Sequence, residues 1–339
     1  MAGVGFLPAV RERYSGGLVL AFHEIPPQRL AEFVDRLKPG QAVSLSELVK
    51  RNKARKPTSG LFAITVDDGV GDNVRALAQL FLARHWPATF YLPTRYIETG
   101  EGMAFQWWRR LQPVLPRRKL ELRSGVLDLS RPGAVRALSK KMELLWHSQP
   151  LESYLPLIME LVDLITHEGL VSRAALQPNA PITWAEVRLL AGTGLIQFES
   201  HGVTHAAMSA LREEELVSEM KHSRDVVTEQ SGRPCRHLAY PFGSPLSIGT
   251  QAVAVAERFY DSAATMAMGG AARAHPWLLP RIPLYANNSI TLAWMKTLFR
   301  YSPTCWLHRG ADAAAPCGSS APMPSGHRMR DGDTDLVER

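Results

Sequence analysis

Short apolar runs alternate with amphipathic segments along most of the chain. The runs are nearly continuous, as in strands of a parallel sheet that is covered on both faces. The predicted strands are Leu18–Phe22, Leu61–Val66, Ala88–Leu92, Ile196–Ser200, His237–Tyr240 and Asp261–Thr265. The helices predicted between or after them are Asn73–Ala83, Thr183–Leu190, Glu213–Val227 and Ser289–Phe299. This order predicts an α/β fold, either a βα barrel or an open sheet.

One long connection interrupts this alternation. Residues 95–179 contain no convincing strand but show helical patterns at Trp107–Leu111 and Val135–Ile165. We expect a helical insertion after the third predicted strand, at the edge where barrel enzymes form their sites. Trp107 and Trp108 would either stack on a ligand there or pack in the interior of the insertion. The pattern leaves both readings open.

The last part of the chain differs in composition. Residues 302–339 are rich in Ala, Gly, Pro and Ser and show no periodic apolar signal. We expect a single domain over residues 1–301, followed by a disordered tail.

Bulk composition narrows the class of protein. Hydrophobic residues make up 45% and charged residues 21%, which is ordinary for a soluble globular protein. The formal charge of +7 suits an anionic partner, such as a phosphate group or an anionic membrane surface, although a solvated basic surface explains it equally well. No nucleic-acid-binding motif accompanies the charge. Three cysteines without paired spacing and the absence of a signal-like apolar core predict a cytoplasmic protein.

Two adjacent acids, Asp67 and Asp68, directly follow the strand Leu61–Val66 and precede Gly69. Burying carboxylates is costly unless they bind a metal, accept hydrogen bonds or become protonated. One of them would bind a metal while the other faces a water molecule. A turn that caps the next helix is the alternative explanation.

A pair of histidines, His201 and His205, follows another strand. Histidines four residues apart on a helical turn can reach one ion. Together with one carboxylate of the Asp pair they form the two-histidine, one-carboxylate set of hydrolytic metal sites.

A third segment, Tyr240-Pro241-Phe242-Gly243, ends the strand that begins at His237. Its aromatic residues would line a sugar pocket, and a backbone N–H would be available to an oxyanion. A turn that simply ends the strand is the alternative.

These three motifs, in this order, resemble those of the polysaccharide deacetylases, carbohydrate esterase family 4. The segments at residues 20–25 (LAFHEI) and 279–283 (LPRIP) resemble the branch of that family that acts on bacterial cell-surface polysaccharides. The resemblance spans roughly residues 18 to 284 and implies a distorted (β/α) barrel. It also implies a divalent ion, commonly Zn²⁺, held by Asp68, His201 and His205. Asp67 would be the general base.

The chain departs from the usual family pattern at several positions. Ala239 stands where the third motif usually has arginine, and the usual late Leu-x-x-His motif with its general acid is missing. Arg281 would then orient Asp67 through a charged hydrogen bond. His23, at the end of the first strand, would be the general acid or a substrate contact, and a buried structural histidine is the alternative.

The predicted function is hydrolysis of an acetyl group from an N-acetylated sugar during surface polysaccharide biosynthesis. The expected substrate is a nucleotide-linked, lipid-linked or oligomeric carbohydrate, bound in part by Tyr240, Pro241 and Phe242. We expect the protein in the cytoplasm, with peripheral contact to the anionic inner membrane face as an extension of that expectation. The alternatives are an amide or formyl hydrolase of the same superfamily and a catalytically silent carbohydrate-binding relative.

Overall fold

The computed structural model describes residues 16–38, 40–271 and 274–299. Ten strands are named in chain order: β1 Leu18–Phe22, β2 Gln41–Ala42, β3 Leu61–Val66, β4 Ala88–Leu92, β5 Lys119–Leu122, β6 Gly125–Asp128, β7 Ile196–Ser200, β8 His237–Ala239, β9 Ser262–Ala264 and β10 Ile282–Pro283. The tail predicted for residues 302–339 lies outside the described residues.

Twelve α-helices in the described part of the chain accompany these strands: α1 Pro27–Leu37, α2 Leu45–Lys53, α3 Gly71–Arg84, α4 Thr94–Thr99, α5 Ala104–Leu111, α6 Ala134–Ser148, α7 Leu155–His167, α8 Arg173–Leu176, α9 Trp184–Gly192, α10 Glu213–Ser231, α11 Pro245–Phe259 and α12 Ile290–Phe299. Short 3₁₀ turns lie at Gln112–Val114, Leu151–Ser153, Met208–Ala210 and Pro276–Leu278. No helix in the described ranges is long and apolar enough to cross a membrane.

Eight strands form one parallel sheet in the order β10-β1-β3-β4-β7-β8-β9, with β2 also paired to β3. The sheet curls, and the segment Leu279–Pro283 connects its two ends. Leu279 N–H donates to Ala263 O beside β9, and Ile282 pairs with Leu20 of β1. The prediction of a distorted (β/α) barrel is confirmed.

Alternate residues of the strands face two different cores. Leu20 and Phe22 of β1 pack with apolar residues of the surrounding helices, whereas Val19 belongs to a smaller cluster on the opposite face. Burial of both faces explains why the strands are apolar throughout rather than alternating.

The insertion after β4 contains helices α4 to α8, as expected, and has a hydrophobic core of its own. Trp107 and Trp108 are both buried in that core, together with Met142 and Ile158. The expectation that the insertion contains no strand was wrong. β5 and β6 form an antiparallel hairpin, which escaped prediction because its residues are mostly charged or exposed and Leu120 is its only buried residue.

Candidate active site

The polar motifs converge at the carboxyl ends of neighbouring parallel strands. His23 follows β1, Asp67 and Asp68 follow β3, His201 follows β7, and Tyr240 follows β8. Since these strands are parallel and lie side by side in the sheet, all of these ends meet at one edge. Backbone hydrogen bonds from Asp67 N–H to Phe22 O and from His201 N–H to Leu92 O continue the sheet into the site.

Asp68, His201 and His205 form a buried cluster. Oδ1 of Asp68 lies 3.7 Å from Nε2 of His201 and 3.5 Å from Nε2 of His205. One possible ligand atom from each of the three residues lies within 4.8 Å of the others. Burial lowers the pKa of His201 to about 4, so its imidazole is neutral near pH 7 and keeps a lone pair for a metal.

The orientation of His201 is set by the neighbouring strand. Its Nδ1 lies 2.7 Å from the carbonyl oxygen of Ala239, at the end of β8. Because a carbonyl only accepts, Nδ1 carries the proton and donates, which leaves Nε2 with its lone pair toward Asp68. Metal-binding histidines are commonly fixed in this way by a partner outside the ligand set.

The two histidines do not lie on a helical turn, as the sequence analysis assumed. They belong to the loop after β7, and His205 has a φ of 56°. Glu219, a buried acid on α10, accepts the N–H groups of Val203 and Thr204 and so holds this loop. The sequence analysis missed Glu219, although an acid beside Met220 on the apolar face of a predicted helix is a recognisable signal.

Asp67 has a different set of partners from Asp68. The guanidinium of Arg281 donates two hydrogen bonds to its carboxylate, from Nη1 to Oδ1 at 2.7 Å and from Nη2 to Oδ2 at 2.8 Å. Burial by itself would raise the pKa of Asp67, but the charge of Arg281 and its hydrogen bonds hold it below its ordinary value. Asp67 is therefore ionised near neutral pH.

Arg281 reaches Asp67 because the segment after β9 crosses the end of the sheet. Its backbone N–H donates to Ala267 O, and its Nε donates to Thr265 O. The side chain is fully buried and lies over the ring of Tyr91. The structure thus forms the contact with Asp67 that was predicted for Arg281.

His23 stands at the mouth of the same cavity. Its Nε2 lies 3.7 Å from Oδ2 of Asp67, and about a third of the side chain is exposed. The ring stacks on Tyr285 at 6.1 Å between centroids. Its Nδ1 is buried and has no hydrogen-bond partner among the described residues, so within these residues the alternative of a structural histidine satisfied by the backbone finds no support.

The turn after β8 differs in part from expectation. The N–H of Tyr240 donates to Ala264 O at 3.0 Å, so this group is not free for an oxyanion. The ring of Tyr240 is buried and its hydroxyl donates to Trp277 O, although the residue borders the cavity. Pro241 is buried and does not line the cavity, whereas Phe242 does. Phe242 has a φ of 60° and packs edge-on against His205 at 4.8 Å.

The cavity has a volume of about 470 Å³, within the range of about 300–1,000 Å³ for small-molecule sites. Asp67, Asp68, His23 and both histidines of the cluster line one side of it. The insertion contributes other walls through α5 and α6, including Trp108. Trp107 lies in the insertion core and does not line the cavity, so of the two tryptophans only Trp108 is available to a ligand.

One segment of the chain is similar in sequence to a known protein family. The family model described as polysaccharide deacetylase matches residues 159–259. A sequence comparison with curated proteins found no match.

Three solved structures illustrate the similarity of fold. The deacetylase PplD of Streptococcus pyogenes, solved with acetate, has a TM-score of 0.55 and 15% identity, over 84% of this chain and 98% of its own. The polysaccharide deacetylase BC0361 of Bacillus cereus has a TM-score of 0.52 and 13% identity, over 84% and 69%. The BpsB deacetylase domain of Bordetella bronchiseptica has a TM-score of 0.52 and 14% identity, over 79% and 95%. The resemblance of this chain to the polysaccharide deacetylase family, predicted from its motifs, is therefore confirmed.

Proposed function

We propose that the protein is a metal-dependent deacetylase that removes the acetyl group from an N-acetylated sugar. The main observation behind this proposal is that two adjacent acids have different partners. Asp67 is bound by Arg281, whereas Asp68 faces His201 and His205, and both acids line one cavity. A binding module has no need for an ionised base beside a metal site.

The chemistry of the donor set fits a divalent ion. One carboxylate oxygen and two imidazole nitrogens, all buried, match the three protein ligands of catalytic zinc sites. Asp68, His201 and His205 would hold the ion, and we propose Zn²⁺. When bound, such an ion polarises a carbonyl and lowers the pKa of a coordinated water toward neutrality.

Asp67 then acts as the general base and takes a proton from the attacking water. Arg281 keeps its carboxylate ionised and fixes the direction of its oxygens, because two parallel hydrogen bonds leave little rotational freedom. General bases of this kind contribute about 10²–10⁴-fold to a rate.

His23 donates a proton to the departing amine. An amine is a poor leaving group unless it is protonated, and the usual late histidine motif is missing from this chain. His23 lies next to Asp67 and is partly exposed to the cavity, which suits an acid that must reach the substrate. The oxyanion needs a partner other than the backbone N–H of Tyr240, because that group already donates to Ala264 O.

The resemblance to the family and the cavity support a proposal for the substrate class. We propose a nucleotide-linked, lipid-linked or oligomeric N-acetylated sugar of surface polysaccharide biosynthesis. The polysaccharide deacetylase match and the deacetylases of similar fold support a carbohydrate. The net charge of +7 suits a phosphate-bearing carrier or an anionic membrane surface.

Acetate release tests the proposal directly. The full chain, loaded with Zn²⁺, is incubated with N-acetylglucosamine oligomers, UDP-N-acetyl sugars and simple N-acetyl or N-formyl amides. Acetate from the sugars alone supports the proposal. Activity on the simple amides alone would favour an amide or formyl hydrolase. A protein that binds no metal and releases no acetate would contradict the proposed deacetylase function.

A cytoplasmic location, with contact to the inner membrane face, is part of the same proposal. Fractionation of cells that express the full chain tests it. Recovery in the soluble cytoplasmic fraction, or in the membrane fraction with release by salt, supports it. Recovery outside the cytoplasm would contradict it.

A further inference from the structure

Helix α6 of the insertion has two differently composed faces. Leu138, Met142 and Leu145 recur at helical spacing and pack in the insertion core. A second stripe, which we call the α6 stripe, consists of Ser139, Glu143, Trp146 and His147, and it lines the cavity that contains Asp67 and the histidine cluster. Trp146 stands at its border and also packs against the insertion core. Its spacing of i, i+4, i+7 and i+8 places these side chains on one side of the helix. A face that merely packed on the barrel would be apolar, so its composition requires another explanation.

The α6 stripe contacts the catalytic edge through tilted and edge-on aromatic rings. The ring of His147 lies 4.8 Å from that of Phe242, and Phe242 lies 4.8 Å from His205 of the proposed metal site. Burial lowers the pKa of His147, so its imidazole is neutral near pH 7 and offers one donor and one acceptor. A molecule that presents its acetyl group to the metal site would therefore lie within reach of α6.

The insertion is also tied to the loop that carries His23. Arg109 of α5 pairs with Glu24 at 2.7 Å, and both residues are at least partly exposed. An exposed pair of this kind contributes little stability, and it marks a contact between α5 and the residue that follows His23. Arg109 itself lines the cavity beside the α6 stripe.

Two members of the stripe have unused hydrogen-bonding groups. The indole Nε1 of Trp146 is buried and has no hydrogen-bond partner in the part of the chain that the structure describes, whereas a buried indole N–H normally has one. Among the described residues Glu143 forms no ion pair, and its side chain is exposed at the cavity. An aromatic ring beside a carboxylate and an imidazole is the combination that binds a sugar, since the ring covers the C–H face and the polar groups bond the hydroxyls.

We infer that the α6 stripe is the surface that binds the sugar and selects the substrate, so that the barrel supplies the chemistry and the insertion supplies the specificity. The inference rests on the proposed function for its reaction. The ligand is an uncharged N-acetylated hexosamine unit. Glu143, His147 and the indole N–H of Trp146 bond its hydroxyls, and the Trp146 ring packs beside it. The family match begins at residue 159, after α6, so this surface belongs to a part of the chain outside the matched segment.

Selectivity between two substrates tests the inference. The substrates are an oligomer of N-acetylglucosamine and 4-nitrophenyl acetate, an acetyl ester without a sugar. Trp146→Phe, which keeps a ring but removes the N–H, and Glu143→Gln should each lower the ratio of oligomer to ester kcat/KM on the order of tenfold, mainly through KM. Trp294→Phe and Glu152→Gln are matched controls at exposed positions away from the cavity and should keep the wild-type ratio. Equal ratios in all five proteins would overturn the inference.

Failure of the proposed function is distinguishable from failure of this inference. If the wild type binds metal but hydrolyses neither substrate, the proposed reaction fails, and binding alone then decides about the stripe. Calorimetric titration with oligomers of N-acetylglucosamine and N-acetylgalactosamine should show a complex that Trp146→Phe and Glu143→Gln weaken. No binding of either oligomer to the wild type, or equal binding by all variants, would overturn the inference.

Discussion

Arg281 and Asp67 are 214 residues apart in the chain, yet their side chains form a bidentate ion pair that is almost completely buried. The pair joins the end of β3 to the segment that closes the curled sheet. It therefore has two consequences: it orients the proposed base, and it places two charges in an interior where neither is stable without the other.

Removing one partner of this pair should destabilise the fold. Arg281→Met leaves the carboxylate of Asp67 buried without its counter-charge, and the free energy of unfolding should fall by about 3–5 kcal/mol. Asp67→Leu combined with Arg281→Met removes both charges and should recover most of that loss. Urea denaturation measures both effects. A double variant as unstable as the single one would show that the pair does not account for the loss.

Replacing the proposed base should abolish turnover without affecting the metal. Asp67→Asn keeps the size of the side chain but removes its basicity, so acetate release should fall by about 10²–10⁴-fold while metal content per chain stays constant. The control is Asp72→Asn, an exposed acid of α3 that pairs with Arg75. Loss of metal in Asp67→Asn would instead place this residue among the ligands.

The metal site should depend on three side chains. Asp68→Ala, His201→Ala and His205→Ala should each lower the metal content measured by elemental analysis after dialysis, because each removes one of the three proposed ligands. His222→Ala, at an exposed position of α10, is the matched control. A chelator should lower the thermal midpoint of the wild type but not that of His205→Ala. Full metal content in His205→Ala would contradict the site.

The role of His23 can be separated from a purely structural one by the leaving group. His23→Gln should slow hydrolysis of an N-acetyl amide far more than hydrolysis of 4-nitrophenyl acetate, because the nitrophenolate leaves without a proton. The comparison is the ratio of kcat for the two substrates in wild type and variant. An equal loss on both would assign His23 a structural or binding role.

A buried histidine away from the site should make stability depend on pH. His237 lies between Ser46 and Ser262, and burial lowers its pKa from 6.5 to about 4. Between pH 6.5 and 4 the histidine is protonated in the unfolded chain but not in the folded protein. The contribution of His237 to the free energy of unfolding is therefore complete above pH 6.5 and is lost as the pH falls toward 4.

Denaturation of the wild type and of His237→Asn at two pH values measures this effect. Between pH 7.5 and 5.0 the free energy of unfolding should fall by about 2 kcal/mol more in the wild type than in the variant. If the free energy of unfolding changes equally with pH in the two proteins, the lowered pKa of His237 does not cause the effect.

The pattern of apolar and polar residues along the chain predicted more of the fold than of the site. The longer strands and several helices were predicted close to their observed bounds, because strands buried on both faces leave continuous apolar runs in the sequence. The strands β2 and β10 were not predicted, because each has only two residues, too few to show a periodic pattern. The hairpin of the insertion escaped because its polar composition resembles that of a loop.

For the site, the sequence by itself determined which residue types stand at the ends of strands. Asp67, Asp68, His201 and His205 were identifiable because polar residues directly after buried strands have few structural explanations. The family resemblance already assigned Asp68 to the histidines and Asp67 to Arg281. The local pattern alone did not distinguish the two acids, and the tertiary structure shows them diverging at the strand end. It also showed that the N–H of Tyr240 is already bonded and that the α6 stripe reaches the cavity. These relationships depend on the curl of the sheet and on the docking of the insertion, which join residues 24 to 214 positions apart and leave no local signal in the chain.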